Sequence, residues 1–374
     1  MKKKKNKKKY IISILICVTI VAFFSSGLKQ RRPVEELDII SAIGQDIKIN
    51  GTNINYIVPF SVYLLEPQEK LESTLKSGTA TNVGETRQTR QLGNDNKSIL
   101  GLEKIYVLSQ EYAFYGISNT LDILFRNPYL NDTAYMMVCK GAASNMLSMK
   151  IKGYPSSGDF IEGLIRNAKN YNFFSNKYRV MDLFFTVDRE GCNLVLPYIE
   201  ITDKGIQVTG MALFKKDKMV TKINVDELKT MNILRENDVK GILSIQKNPK
   251  EYINYYATSQ KKVSCTKEGN KYKFTININL EGDIISDTLI KNLQKSPEKN
   301  AEFNKTMAED VKKKCNDFII KMKNEYKVDC LNLGQVAAAK YGRHTGVDWN
   351  SIVCNSEIEV NVKVKVQKTG RGDY

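Results

Sequence analysis

Histidine is almost absent. Among 374 residues there is one, His344, and one tryptophan, Trp349. A Ser-His-Asp or Cys-His arrangement would have to use that single imidazole. It sits in Tyr341-Gly342-Arg343-His344-Thr345-Gly346, a glycine-flanked stretch that reads as a surface turn. A zinc site built on imidazoles lacks ligands for the same reason. The seven cysteines are Cys17, Cys139, Cys192, Cys265, Cys315, Cys330 and Cys354, and none forms a Cys-x-x-Cys pair, so a zinc ribbon or dithiol motif is not expected. Their wide spacing does not suggest a small disulfide scaffold, although the six beyond Cys17 could pair outside a cell. Cys139, at the end of an apolar run, and Cys315, on an apolar helical stripe, read as buried thiols acting as small hydrophobes. No Gly-rich loop ends in Lys-Ser or Lys-Thr, and no Gly-x-Gly-x-x-Gly follows a strand. Only 8 prolines and 23 glycines argue against long disordered linkers. Neither catalytic residue, cofactor nor metal is expected, and the chain does not read as an enzyme.

What the chain does have is positive charge, concentrated at one end. Of a formal net charge of +16, seven units lie on Lys2, Lys3, Lys4, Lys5, Lys7, Lys8 and Lys9. The apolar stretch that follows contains Ile11, Ile12, Ile14, Leu15, Ile16, Val18, Ile20, Val21, Phe23 and Phe24, with no charge among them, and then Ser25, Ser26 and Gly27. A basic n-region, an apolar core and small residues make the pattern of an export signal. The lysines hold the N-terminus inside. Two outcomes fit: cleavage after the small residues, or retention as a membrane anchor. Diacylglyceryl attachment needs Cys directly after Gly27, and Leu28 stands there. Basic pairs elsewhere, such as Lys215-Lys216 and Lys261-Lys262, are not interleaved with aromatics. Nucleic acid is therefore not expected as a partner.

The rest reads as an α+β chain of three parts, 29–188, 189–247 and 248–374, behind a signal or anchor segment at 1–28. Leu37–Gly44 and Tyr56–Leu65 read as strands around an Asn50-Gly51 turn. Ser73–Asn96 is polar, with a short amphipathic element. Ile105–Ser109, a helical period over Gln110–Arg126, and Ala134–Cys139 make one βαβ unit with local parallel pairing. A helix follows near Ala142–Met149. Asp182–Val187 reads as a strand, and the loop Arg189–Asn193 as a domain boundary. Leu194–Ile201 and Val208–Phe214 pair around Asp203-Lys204-Gly205. Asn224 and Glu227 are spaced as a capping box. Ser296-Pro297-Glu298 starts a long helix with an apolar stripe at Phe303, Met307, Val311, Cys315, Phe318, Met322 and Tyr326. Alternation at Tyr272–Leu280 and Ile358–Val366 predicts strands with one wet face, the last one antiparallel.

Several motifs occur in an order that resembles the Ger(x)C family, the C subunits of spore germinant receptors. They are Arg31-Arg32-Pro33-Val34-Glu35-Glu36-Leu37, Gly78-Thr79-Ala80 with Glu85-x-Arg87, Lys104–Gly116, Leu121–Arg126, Lys140-Gly141-Ala142-Ala143, Gly210–Val220 and Asp329–Gly334. The resemblance covers nearly all of the chain after Gly27. It implies a non-enzymatic, three-domain α+β protein on the outer face of the spore inner membrane, working beside integral-membrane A and B subunits in nutrient-triggered germination. The chain departs from the family at the anchor. Leu28, Lys29 and Gln30 replace Cys, Trp and Asp, so an apolar helix rather than lipid is the expected tether. A rival expectation is an extracytoplasmic solute-binding protein that holds the germinant itself, which needs a cleft with convergent polar groups. A cell-wall hydrolase is a third, weakened by the single histidine.

Overall fold

The computed structural model of the chain describes residues 2–26, 33–64, 71–290, 293 and 296–369. Leu28 lies outside the described residues. Helix α1 (Lys2–Ser26) precedes β1 (Leu37–Asn50), β2 (Asn53–Leu64), β3 (Glu72–Ala80), α2 (Thr86–Leu92) and β4 (Lys97–Ile99). Next come β5 (Ile105–Ser109), α3 (Gln110–Tyr115), α4 (Ser118–Arg126), β6 (Tyr135–Cys139), α5 (Ala143–Leu147), α6 (Ser157–Ala168) and α7 (Val180–Val187). The middle of the chain holds β7 (Val195–Thr202), β8 (Gly205–Lys215), β9 (Lys218–Ile223) and α8 (Val225–Arg235). The last third is β10 (Val239–Asn248), β11 (Glu251–Glu268), β12 (Lys271–Asp287), α9 (Pro297–Lys321), α10 (Leu333–Tyr341), α11 (Trp349–Asn355) and β13 (Glu357–Lys368).

Nine strands form one sheet in the order β3-β2-β1-β5-β6-β7-β8-β9, with β4 beside the start of β1. The Asn50-Gly51 turn closes the β1–β2 hairpin, and Gly51 takes the positive φ of +61° that such a turn demands. The centre is parallel: β1 with β5, β5 with β6, and β6 with β7. Both faces of this centre are covered. Ile105 and Val107 join one apolar cluster, while Tyr106 and Leu108 join the other. That is why these strands read as continuous apolar runs. The first cluster continues through α8 into the second sheet, whose order is β10-β11-β12-β13.

The mixed α+β class holds, but with more parallel pairing than a single βαβ unit. Strand β13 runs parallel to β12, not antiparallel. The intervening helices α9 to α11 carry the chain back to the same end of the sheet, as a parallel connection requires. The Asp182–Val187 segment is helical, part of α7. The Asp182 carboxylate accepts the Arg179 N–H at 3.1 Å and so caps the first turn, while Val180 and Leu183 alone are buried. The predicted Gln110–Arg126 helix is broken at Gly116, φ +133°, where the Ile117 N–H bonds to Asp217 O instead. Helix α6 and strand β11 are not among the predicted elements. The stripe on α9 is buried from Phe303 to Phe318, and the Asn224–Glu227 capping box is formed in both directions. The expected limit at 188/189 falls in the loop between α7 and β7, and that at 247/248 falls within β10. Pairing of β6 with β7 bridges the first, and the β10–β11 hairpin spans the second.

Candidate functional site

Two places in the body combine buried polar groups with close backbone approach. The first lies under α2. Gly78 on β3 makes it possible: a Cβ there would stand 2.9 Å from the Thr86 carbonyl carbon and 3.0 Å from the Arg90 Cβ. Glycine lets α2 lie against the sheet, and this sets Arg90 with its guanidinium 3.5 Å from the centre of the Phe60 ring. Between α2, α4 and the sheet is a cavity of about 240 Å³. Ile43, Val58, Phe60 and Leu124 form apolar walls, and Arg87, Gln91 and Lys97 line its exposed side. Arg90 and Gln45 also line it, each nearly fully buried, with Arg90 Nη1 and Gln45 Oε1 lacking a hydrogen-bond partner. Burial, then the neighbouring Arg87, pull the Arg90 guanidinium down to about 10, so it remains a cation at neutral pH.

The second place is a seam centred on the loop expected as a domain boundary. Arg235, at the end of α8, donates from Nη1 to Cys330 O at 2.6 Å and to Asn332 Oδ1 at 3.2 Å. Its Nη1 and Nη2 both reach Asn193 O, and its Nε pairs with Glu236 at 3.2 Å. The Asn193 amide donates to Asp329 O and to Asn350 Oδ1, each at 3.1 Å. The Asp329 carboxylate accepts the N–H groups of Leu331, Leu333 and Gly334, which closes the turn into α10. Glu190 accepts the Trp349 indole N–H at 2.9 Å and the His344 N–H at 2.6 Å. Those two hydrogen bonds hold the Glu190 carboxyl below its ordinary range. The 189–193 loop is therefore a hub of contacts between the first sheet and the last helices.

The six cysteines beyond Cys17 lie in settings that do not activate a thiol. His344 is exposed, with φ +58°. Burial raises the thiols of Cys139, Cys265, Cys315 and Cys330, the third to about 12, and pushes Cys192 and Cys354 to about 11. A nucleophilic cysteine needs the opposite shift. All seven thiols are free. Among the described residues no group of three or more His, Cys, Asp and Glu is placed to hold a metal ion.

The apolar N-terminal residues lie on α1. Ile11, Ile12, Ile14, Leu15, Ile16, Val18, Ile20, Val21 and Phe23 are each at least 50% exposed, and the side chain of Phe24 lies outside the described residues. Among the described residues no helix is long and apolar enough to cross a membrane. Large apolar groups are also exposed where α4 meets α7. Phe125 is 52% exposed and stacks on Phe184 with ring centres 4.2 Å apart, and Phe185 is 56% exposed.

Comparison with known proteins accounts for this body as a whole. The model of the spore germination protein N-terminal domain matches residues 30–201. The model described as spore germination B3/GerAC like, C-terminal, matches residues 209–370. The chain belongs to the Ger(x)C family of spore germination proteins. Within the family, the spore germination protein GerQC of Bacillus cereus is 21% identical over 372 residues, covering 97% of this chain and 99% of its own length. The crystal structure of the GerBC protein shares the fold, with a TM-score of 0.54 at 14% identity over 87% of this chain and 97% of that one. The junction between the two family domains, 202–208, takes in the end of β7, the turn and the start of β8. Sequence reasoning did not find the cavity. Arg90 and Gln45 are 45 positions apart, and only the β1–β2–β3 meander and α2 bring them together.

Proposed function

We propose that this chain is the C subunit of a spore germinant receptor, a non-enzymatic subunit on the outer face of the spore inner membrane that acts by contact with integral-membrane A and B subunits. One observation carries the reading: the two family domains occur in order and together take in nearly all of the chain after the N-terminal helix. Full-length similarity to GerQC supports it. So does α1, a lysine-rich start followed by apolar side chains exposed on every side of the helix. A helix apolar all round belongs in a core or in lipid. Its apolar part is shorter than the ~20 residues a full span needs. Snorkelling lysines and local thinning of the bilayer make up such a difference. Tethering of this kind raises the body's effective concentration near membrane partners. The Phe125–Phe185 patch is suited to a protein contact, because exposed aromatics of this size cluster at binding surfaces.

The test is fractionation of dormant spores followed by intact mass measurement. Full-length protein in the inner membrane, co-purifying with integral-membrane receptor subunits, is the expected result. Germination in response to nutrients should fail in a deletion strain and return on complementation. A soluble protein cleaved near Gly27, with no receptor subunit attached, would overturn the reading.

A further inference from the structure

We propose that the cavity under α2 is a binding site for a small organic carboxylate with a branched apolar body. The inference stands on the cavity alone and does not depend on the subunit contacts above. Its first support is polar capacity left unused. Arg90 is 8% exposed and Gln45 6%, yet Arg90 Nη1 and Gln45 Oε1 have no partner. Buried donors and acceptors are nearly always satisfied, so two unsatisfied ones lining one cavity call for groups from outside the chain. The second support is charge. Arg87, Arg90 and Lys97 line the cavity, and no aspartate or glutamate is among its lining residues. Asp38, which acts on Arg90 through space, is already engaged by Lys76 at 2.9 Å. The local field therefore favours an anion.

The third support is geometry. Arg90 lies over Phe60, and a stacked guanidinium keeps its in-plane N–H groups free for a planar, two-oxygen acceptor. Ile43, Val58, Ile123 and Leu124 supply an aliphatic part of the wall, which suits a branched aliphatic body, and apart from Arg87, Arg90 and Lys97 the polar lining residues, among them Ser98 and Thr120, are uncharged. Gln45 Oε1 is an acceptor, and a hydroxyl or amine on the same ligand would satisfy it. A volume of about 240 Å³ lies below the usual range for drug-sized ligands, which limits the site to a small acid.

The experiment uses the full-length chain in lipid nanodiscs, with labelled Ile, Leu and Val methyl groups followed by NMR. Isovalerate, isovaleramide and inorganic phosphate are titrated separately at constant ionic strength. Isovalerate should move the methyl signals of Ile43, Val58 and Leu124, and isovaleramide should bind about tenfold more weakly, because it loses the charge-assisted pair. Arg90→Gln should abolish that preference. Ile123→Trp fills the cavity from a half-buried wall and leaves Arg90 intact, so it should abolish the shifts in a protein that melts as the wild type does. The proposal is overturned by unmoved methyls at about 50 mM isovalerate, a weak-binding concentration. Equal affinity for acid and amide, or wild-type binding by Ile123→Trp, would also overturn it. So would a response to phosphate without one to isovalerate, which marks a plain anion site.

Discussion

Gly191 and Gly334 touch backbone to backbone across the seam between the first sheet and α10. A Cβ on Gly191 would lie 2.5 Å from the Gln335 nitrogen and 2.6 Å from Gly334 O, and a Cβ on Gly334 would lie 3.0 Å from Gly191 O. Gly191 also holds φ +76°, a left-handed conformation that L side chains adopt at a cost. Residues far apart in sequence are thus held at a distance only glycine permits.

Alanine at Gly191 should accordingly destabilise the protein by about 3 kcal/mol, combining left-handed strain with a steric clash. Gly51→Ala is the control. Gly51 has φ +61° but nothing within 4 Å of its added Cβ, so about 1 kcal/mol is expected. Urea unfolding of both variants checks the difference, and equal losses would contradict the contact.

Arg235→Ala should cost about 1–3 kcal/mol, since it leaves the carbonyls of Asn193 and Cys330 buried without their donor, while Glu236 keeps its pair with Lys177 at 2.9 Å. Arg235→Lys should recover only part of this, because one ammonium cannot reproduce the fork that reaches Cys330, Asn332 and Asn193 together. Thermal melts of the three proteins should rank wild type, Lys, Ala.

Asp159 sets up a pH dependence. Its carboxylate accepts from Lys104 Nζ at 2.6 Å, Tyr63 Oη at 2.8 Å and Ser156 Oγ at 2.7 Å, which ties α6 to β2 and to the approach into β5. Burial works to raise its pKa, but the hydrogen bonds from Lys104, Ser156 and Tyr63 outweigh it and hold the carboxyl below its ordinary value. A folded pKa below the unfolded value of about 3.9 means the stabilisation is present above that pH. It is lost as pH falls through the folded pKa. Asp159→Asn should be less stable than wild type at pH 7 by about 1–2 kcal/mol, a figure discounted because Lys104 is half-exposed. The two melting curves should converge as the pH falls below the ordinary carboxylate range. A gap unchanged by acid would show that the charge is not responsible.

The exposed Phe125 and Phe185 carry a prediction separable from stability. Phe125→Ser with Phe185→Ser should leave the melting temperature within a few degrees of wild type, as surface changes do. It should sharply reduce recovery of receptor subunits with the full-length protein from spore membranes. Undiminished recovery would place the contact elsewhere on the body.

Much of the fold was readable before any coordinates. Turn chemistry at Asn50-Gly51, the capping pair Asn224 and Glu227, and the stripe from Phe303 to Phe318 all act within a few residues of themselves. Local physics is enough to place such features. Asp182–Val187 was misread because a short apolar run looks the same in a buried strand and in a helix, and the deciding cap is a single carboxylate. The 189–193 loop was readable as a loop, from Arg189 and Gly191. It was not readable as a hub, because Asp329, Asn332 and Trp349 reach it from more than a hundred residues away.

Composition and order alone were sufficient for the family and for the basic and apolar N-terminus. Those properties are carried by residue identity along the chain. Strand direction is different. The alternation in β13 buries Val360 whether its neighbour runs parallel or antiparallel, since side-chain period is two in both. Only the path of α9 to α11 made it parallel to β12. The cavity is the same kind of fact. Arg90, Gln45 and Phe60 carry no pattern in sequence, and they share one space because three strands pair and Gly78 lets α2 settle on them.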